Sequence, residues 1–288
     1  MSELRLPGVG LHYEVAGSGP ALLLIPGGTD DARDFAGLLP HLTARYTVIS
    51  YDPRGNSRSA LDGPPADVTV ETHADDALRL LLALTENGAA DGRVRVFGTS
   101  AGAQVALALT AAAPDLVDTV VAHEPPALNA LPDGDPRRDL ARQVGESYRA
   151  GGVTAALATY VAGSGLDRMP EGPAAESAEA AAGMGAKLGR MQANADFFFA
   201  RHASATATYL PDVAALRDGA ARIVLAAGEQ SAGQLAHDAA LALAGRLGVR
   251  AVTFPGGHAG YVTHPTGFAR ALRDVLDASL TGDVGTTA

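Results

Sequence analysis

The sequence predicts an α/β fold: a mostly parallel sheet of eight strands, helices on both faces of the sheet, and a helical cap inserted after the sixth strand. Short apolar runs of strand length alternate with segments in which apolar residues recur every three or four positions. This alternation stops at residue 125 and resumes after residue 211. Because a helix between two strands returns the chain to the same edge of the sheet, the alternation predicts parallel strands that are covered on both faces.

Each predicted strand is a short run rich in apolar and β-branched residues. Residues 21–25, Ala-Leu-Leu-Leu-Ile, are the clearest case, since a continuous apolar run is typical of a strand buried on both faces. In chain order the predicted strands are 4–6, 11–15, 21–25, 46–51, 93–97, 117–122, 223–227 and 249–254.

The predicted helices follow from apolar residues at helical spacing. Phe35, Leu38 and Leu42 predict a helix over 34–44, and Pro114 ends the one predicted over 101–113. The other core helices are predicted over 71–86, 234–247 and 265–280, with a frayed tail at 281–288. The core domain is expected to comprise residues 1–124 and 212–288. The cap, residues 125–211, is expected to hold helices over 138–150, 153–161, 176–192 and 194–202.

Composition excludes several classes of function. The chain has 22 basic and 32 acidic residues, a formal net charge of −10, which argues against nucleic-acid binding. It has no cysteine, so disulfides, thiolate nucleophiles and zinc–thiolate sites are impossible. No apolar stretch approaches the roughly 20 residues that span a bilayer, and residues 1–8 do not look like a secretory signal. We therefore expect a cytoplasmic protein with no membrane partner.

The strongest motif follows the strand predicted over 93–97. Gly98-Thr99-Ser100-Ala101-Gly102 is a G-x-S-x-G sequence between a predicted strand and a predicted helix. In that context a sharp turn projects the serine hydroxyl above the sheet edge, and the glycines let strand and helix approach closely. Ser100 is therefore the predicted nucleophile.

A histidine follows the last predicted strand, in Pro255-Gly256-Gly257-His258. A histidine in a loop at a strand end can act as the general base for the serine, and it comes after the serine in chain order as this kind of site requires. The rival is His264, which precedes Pro265 at a predicted helix start and therefore suits a capping role better. His123 is expected to be structural.

Three carboxylates are candidates for the acid that orients the histidine. Glu124 follows an apolar run directly and precedes two prolines, whereas Glu229 follows the later strand and Asp238 lies in the next helix. Glu124 is favoured because it follows its apolar run immediately and is fixed by the two prolines, so that its carboxylate could orient the imidazole; Glu229 and Asp238 are the alternatives.

Two backbone amides are expected to form an oxyanion hole. Pro26-Gly27-Gly28 ends a buried strand, and the amides of Gly28 and Ala101 could both face the developing negative charge. Asp52 and Arg54 also follow a strand, but a structural ion pair or turn is the better interpretation. No metal-binding or dinucleotide-binding motif occurs, so we expect neither a metal nor a cofactor.

These motifs resemble the α/β-hydrolase superfamily over nearly the whole chain, including the loop at residues 51–59 and Gly257-His258. A closer resemblance is to the fungal zearalenone-lactonase type, in the strand end His123-Glu124-Pro125-Pro126 and the stretch Tyr261-Val262-Thr263-His264-Pro265. That resemblance implies that the acid is Glu124, after the strand that follows the G-x-S-x-G sequence, and that the oxyanion glycine is Gly28. The superfamily's more usual acid position falls on Ser231. The tryptophan in that lactonase cap has no counterpart, because this chain has no Trp.

Together these features predict a serine hydrolase that cleaves an ester or lactone of a small hydrophobic substrate through a Ser-His-Glu triad and an acyl-enzyme. The cap is expected to line the pocket, with candidates Tyr160, Met169, Met184, Met191, Phe197, Phe198 and Phe199. The same triad could instead serve C–C bond hydrolysis, perhydrolysis or a lyase or cyclase step, or the protein could be a ligand receptor with little turnover. The cap could also form a homodimer interface, although nothing in the sequence requires it.

Overall fold

A computed structural model describes residues 2–88, 92–167 and 175–278. Its sheet has eight strands in the order β1-β2-β4-β3-β5-β6-β7-β8. The first two pairings, β1 with β2 and β2 with β4, are antiparallel, and all the others are parallel. The strands are Ser2–Leu6 (β1), Val9–Gly17 (β2), Ala21–Ile25 (β3), Thr47–Tyr51 (β4), Val94–Thr99 (β5), Val117–His123 (β6), Arg222–Gly228 (β7) and Val252–Phe254 (β8). The predicted fold class is confirmed.

Helices cover both faces of this sheet. They are Leu39–Leu42 (α1), Val70–Glu86 (α2), Ala101–Ala112 (α3), Leu140–Ser164 (α4), Ala178–Arg201 (α5), Ala203–Thr208 (α6), Val213–Asp218 (α7), Leu235–Leu247 (α8), Gly260–Thr263 (α9) and Pro265–Asp277 (α10). Short 3₁₀ turns add Ala32–Phe35, Leu128–Ala130 and Pro136–Asp139. None of the helices described is long and apolar enough to cross a membrane.

Alternate side chains of strand β3 pack into two separate hydrophobic clusters, one on each face of the sheet. Leu23 and Ile25 belong to a buried cluster with α2, α3 and α8, whereas Leu22 and Leu24 belong to a second cluster with α1 and α10. Because successive side chains point to opposite faces, an all-apolar strand is stable only between two helical layers.

The helix predicted over 34–44 is wrong. The segment instead forms the 3₁₀ turn Ala32–Phe35 and the single helical turn α1. Pro40 lacks the amide hydrogen that a continuous helix would need, and Pro40 therefore lies at the start of α1. Strand β8 is also shorter than predicted.

The cap segment differs in its helix boundaries. The break predicted near residue 151 exists, because Gly152 has φ = +65° and divides α4 into two helical arms. The break predicted near residue 193 does not exist, and α5 runs continuously to Arg201. Helices α6 and α7 were not predicted. Met169 and the tail at 281–288 lie outside the described residues.

Candidate active site

Ser100 occupies a strained turn between β5 and α3. Its backbone has φ = +54° and ψ = −127°, a combination that costs a non-glycine residue free energy and persists only where the surroundings enforce it. The Ser100 amide donates to the carbonyl of His123 at 2.9 Å, and the Ser100 carbonyl accepts from the amide of Ala103 at 2.9 Å. The turn therefore presents the serine at the carboxyl edge of the sheet, at the start of α3.

The flanking glycines are required by close backbone contact. A Cβ on Gly98 would lie 2.9 Å from Ala103 Cα and would overlap the carbonyl of Gly102. A Cβ on Gly102 would overlap the carbonyls of Ile25 and Pro26 at the end of β3. Both positions therefore need glycine so that α3 can start directly against the sheet.

His258 and Glu124 form a direct hydrogen bond. Nδ1 of His258 lies 2.6 Å from Oε2 of Glu124, and the two side chains are 20% and 0% exposed. Glu124 itself has φ = +48°, and its amide donates to the carbonyl of Ala226 at 2.9 Å. The glutamate is thus held at the end of β6 in a left-handed turn that aims it across to the histidine.

The second oxygen of Glu124 accepts two more hydrogen bonds. The amide of Gly228 donates to Oε1 at 2.8 Å, and the hydroxyl of Ser231 donates to the same oxygen. Burial by itself raises the pKa of Glu124, but the hydrogen bond with His258, the charge of the neighbouring imidazoles and the Ser231 hydroxyl outweigh it and lower the pKa to about 2. Glu124 is therefore a carboxylate at any working pH.

The rival residues lie elsewhere. Glu229 is exposed and its Oε1 lies 3.4 Å from the amide of Gly256, while Asp238 pairs with Arg137 at 2.7 Å. His264 bonds Thr263 Oγ1 through Nδ1 at 2.9 Å, and it makes no side-chain cap to α10.

The neighbouring His123 is fully buried. Its Nδ1 lies 3.2 Å from Thr99 Oγ1, and its ring centre lies 6.5 Å from that of His258. Burial lowers the pKa of His123 to about 4, so this ring is neutral at pH 7 and packs under the site.

The loop at residues 27–31 lies beside Ser100. A Cβ on Gly27 would be 3.5 Å from Ser100 Cβ, and one on Gly28 would be 2.6 Å from Cδ2 of Phe198. The carbonyl of Gly28 accepts from Asn56 Nδ2 at 2.9 Å. Gly28 therefore lies between the core and a cap side chain, with no room for a larger residue.

A cavity of about 640 Å³, part of it open to solvent, lies between the core and the cap. Among the described residues none of its lining side chains is charged. Ser100 and Ala101 form one end, and the remaining wall comes mainly from α4, α5 and α6 and the segment after Glu124. The principal apolar residues of this wall are Leu128, Leu140, Val144, Phe198, Phe199 and Leu235.

The seven cap residues predicted as candidates for the pocket lining separate, where the structure describes them, into residues of the cavity wall and residues outside it. Tyr160 and Phe198 line this cavity, and burial raises the pKa of Tyr160 to about 12. Met184 packs instead against the core cluster that contains α10. Among the described residues, neither Met184 nor Met191 is part of the cavity wall.

Sequence reasoning missed several residues of the site. Ser231 was considered only as the position where the superfamily more usually has its acid, yet its hydroxyl donates a hydrogen bond to Glu124. Leu140, Val144 and Leu235 were not singled out, because an apolar residue in a helix carries no sign of which neighbour it faces. The two prolines after Glu124 were the one local signal that this segment belongs to the site. Pro126 and, two residues later, Leu128 are part of the cavity wall.

Two polar groups near the site have structural partners, as expected. Asp52 pairs with Arg58 at 2.7 Å, and Arg54 Nε bonds Asp76 at 2.6 Å. In the described ranges no group of three or more His, Asp or Glu side chains could hold a metal ion.

Comparison with known proteins gives consistent results. Residues 20–162 match the family described as the alpha/beta hydrolase fold. A hydrolase of Bacillus subtilis strain 168, the uncharacterized YraK, is 33% identical over 278 residues, which is 95% of each chain. A thermophilic esterase from Thermogutta terrifontis superposes with a TM-score of 0.73 at 21% identity, covering 98% of this chain and 100% of that one. Est816, described as an N-acyl homoserine lactone degrading enzyme, superposes with a TM-score of 0.69 at 20% identity, covering 95% and 99%.

Proposed function

Because this chain belongs to the α/β-hydrolase family, we propose that it is a serine hydrolase that cleaves a carboxylic ester or lactone of a small apolar substrate. The observation that carries the proposal is the placement of Ser100, in its strained turn, at the end of an uncharged cavity. The bonded pair of His258 and Glu124 belongs to the same edge of the sheet, because Glu124 follows β6, the direct neighbour of β5.

In the proposed reaction Ser100 Oγ attacks the carbonyl carbon while His258 Nε2 takes the hydroxyl proton. Nδ1 keeps its proton because it donates a hydrogen bond to Glu124, and the carboxylate stabilises the imidazolium that forms. The amides of Gly28 and Ala101 donate to the tetrahedral oxyanion. As the intermediate collapses, the ester C–O bond breaks and His258 returns the proton to the leaving alkoxide oxygen.

Deacylation repeats these steps with water. His258 takes a proton from the attacking water, a second tetrahedral intermediate forms, and collapse releases the acid and returns the proton to Ser100. For a lactone the alcohol and acid groups leave on one molecule. No cofactor takes part in this proposal.

The uncharged cavity supports an apolar acyl or alkoxy group, because a charged group would lose its hydration there without gaining a partner. The esterase and lactonase activities named for the structural relatives agree with this reaction class. The role of Glu124 as the acid, the likeness to the zearalenone-lactonase type and a cytoplasmic location are further parts of the proposal.

A fluorophosphonate probe tests the nucleophile. We expect one covalent adduct by intact mass on the wild type, none on Ser100→Ala, and an unchanged adduct on Ser164→Ala, another buried serine. Failure of the wild type to react with a small probe would contradict the proposal and favour a receptor role. Product analysis on esters, lactones and β-diketones then separates ester cleavage from C–C bond hydrolysis.

A further inference from the structure

One face of the cap helix α5 contacts the loop at residues 27–31 residue by residue. Three α5 side chains meet three consecutive loop residues, in opposite order along the chain. The pairs are Lys187 with Asp30, Asn194 with Thr29, and Phe198 with Gly28. At 100° per residue the three α5 positions fall within roughly 40° of arc, so they form a single stripe along the helix.

The Lys187 contact is a buried ion pair. The Lys187 ammonium binds the carboxylate of Asp30, and it lies 3.2 Å from Asp34 Oδ2. The hydroxyl of Tyr261 donates to Asp30 Oδ2 at 2.9 Å. Burial alone would lower the pKa of Lys187, but the nearby carboxylates of Asp30 and Asp34 outweigh it and raise that pKa above its usual value. Lys187 is therefore a fixed cation.

The other two contacts hold the loop backbone. Asn194 Nδ2 donates to the Thr29 carbonyl at 2.9 Å, and its Oδ1 accepts from the amide of Ser57 at 3.0 Å. The ring of Phe198 leaves no space for a Cβ on Gly28. Since Asn194 is only 5% exposed, its hydrogen bonds are protected from competition with water.

The core supplies only part of this support. Asn56 Nδ2 donates to the carbonyls of Gly28 and Asp30 at 2.9 and 3.0 Å. The Asp30 carboxylate is instead bound by Tyr261 and by Lys187 of α5, and the Thr29 carbonyl is bound by Asn194 of α5. Arg190 also pairs with Asp34, so without Lys187 it is Asp30 that loses its cation and keeps only the hydrogen bond from the Tyr261 hydroxyl. A buried carboxylate that has lost its cation is costly, so the loop would move.

We propose that Lys187 is a positioning residue for the oxyanion hole: by holding Asp30, the cap helix α5 sets the place of the Gly28 amide. This inference rests on the proposed function, in which the Gly28 amide binds the oxyanion. It means that the hole is complete only when the cap is docked on the core. An oxyanion donor acts only at the right distance from the developing charge, so a displaced loop lowers kcat more than it weakens substrate binding.

The test compares Lys187→Met with Lys187→Arg, Asp30→Asn and the double variant Lys187→Met/Asp30→Asn. Arg137→Met is the matched control, since Arg137 also joins the cap segment to the core, through Asp238 on α8. Hydrogen exchange over residues 27–31 reports the loop without any need for turnover. Steady-state kinetics on a p-nitrophenyl ester, and inhibition by an alkyl trifluoromethyl ketone and its methyl ketone analogue, report the oxyanion hole.

For Lys187→Met we expect faster exchange in residues 27–31, a 10- to 100-fold lower kcat with KM within about threefold, and trifluoromethyl ketone affinity reduced in parallel. Methyl ketone affinity should stay unchanged, and Lys187→Arg should recover part of kcat. The double variant should lose less than the product of the single losses, because both act through one contact.

The inference would be overturned by unchanged exchange at residues 27–31, by faster exchange with unchanged kcat, or by an equal loss of kcat in Arg137→Met. A rise in KM alone would also overturn it, since that would show a role in binding. If the wild type neither hydrolyses esters nor reacts with the fluorophosphonate probe, the proposed function fails, and the exchange data still decide whether Lys187 holds the loop.

Discussion

Replacing Glu124 by glutamine tests the orientation of His258 with almost no change in shape. Oε1 of Glu124 already accepts from the Gly228 amide and the Ser231 hydroxyl, and Oε2 accepts from His258 Nδ1. Glutamine has a single acceptor oxygen. If that oxygen stays with the Gly228 amide, the NH₂ group faces His258 and can only donate to an unprotonated Nδ1. The proton then moves to Nε2, and the base cannot accept a proton from serine.

The opposite amide orientation is costly. It would place NH₂ against the backbone N–H of Gly228 in a fully buried site and leave a donor unsatisfied, at about 1–3 kcal/mol. A productive orientation is therefore populated only about 1% to 15% of the time. With the wrong tautomer dominant and the carboxylate charge lost, kcat should fall by roughly 10² to 10⁴, or about 3–5 kcal/mol in activation free energy.

The assay is kcat on p-nitrophenyl butyrate together with the rate of fluorophosphonate labelling, with circular dichroism to verify folding. Glu229→Gln, at the end of the neighbouring strand β7, is the control and should stay within twofold of the wild type. A Glu124→Gln variant that keeps more than about a tenth of wild-type kcat would refute the reasoning, and so would an equal loss in Glu229→Gln.

Three further predictions concern the loop, the cavity and acid stability. Gly28→Ala puts a Cβ 2.6 Å from Phe198 Cδ2, so labelling should slow at least about tenfold and recover in part in Gly28→Ala/Phe198→Ala; no recovery would contradict this. Val144→Phe should lower the ratio of kcat/KM for p-nitrophenyl octanoate to kcat/KM for p-nitrophenyl acetate about 10- to 200-fold, which is about 1–3 kcal/mol in activation free energy. An unchanged ratio would show that acyl chains avoid this cavity. Burial lowers the pKa of His202 to about 4, below its unfolded value, so stability is lost as pH falls from about 6.5 towards 4. Linkage predicts that this histidine costs the protein about 2 kcal/mol of its free energy of unfolding between pH 7 and pH 5. In urea unfolding, His202→Gln should therefore lose less stability than the wild type over this pH range. An equal loss in the two proteins would argue against the lowered pKa.

Much of the fold and of the site could be predicted from short stretches of sequence. The apolar run of β3 and the glycines around Ser100 each reflect a constraint within a few neighbouring residues, and both could be recognised without contacts from afar. The helix predicted over 34–44 failed because the apolar spacing outweighed the single proline at 40, whose missing amide hydrogen ends the helix. The break predicted before Asn194 failed because that side chain bonds Thr29 and Ser57 rather than its own backbone.

Residues that act across the fold left no local sign. Ser231 contacts Glu124 over 107 positions, and Lys187 contacts Asp34 over 153 positions. A lysine in an alanine-rich helix is usually solvated, and only the packing of α5 on the loop at residues 27–31 makes this one a buried ion pair. Likewise Met184 and Phe198 lie on one helix, but the first packs against the core and the second lines the cavity.

The sequence alone determined the fold class and named Ser100, His258 and Glu124 as candidates, because parallel strands bring their carboxyl ends to one edge wherever helices connect them. Only the tertiary structure decided that Glu124 rather than Glu229 or Asp238 bonds His258, which side chains enclose the cavity, and that α5 contacts the loop beside Ser100. These depend on distances between elements far apart in the chain. Such distances are set by how whole helices pack, and no short stretch of sequence records them.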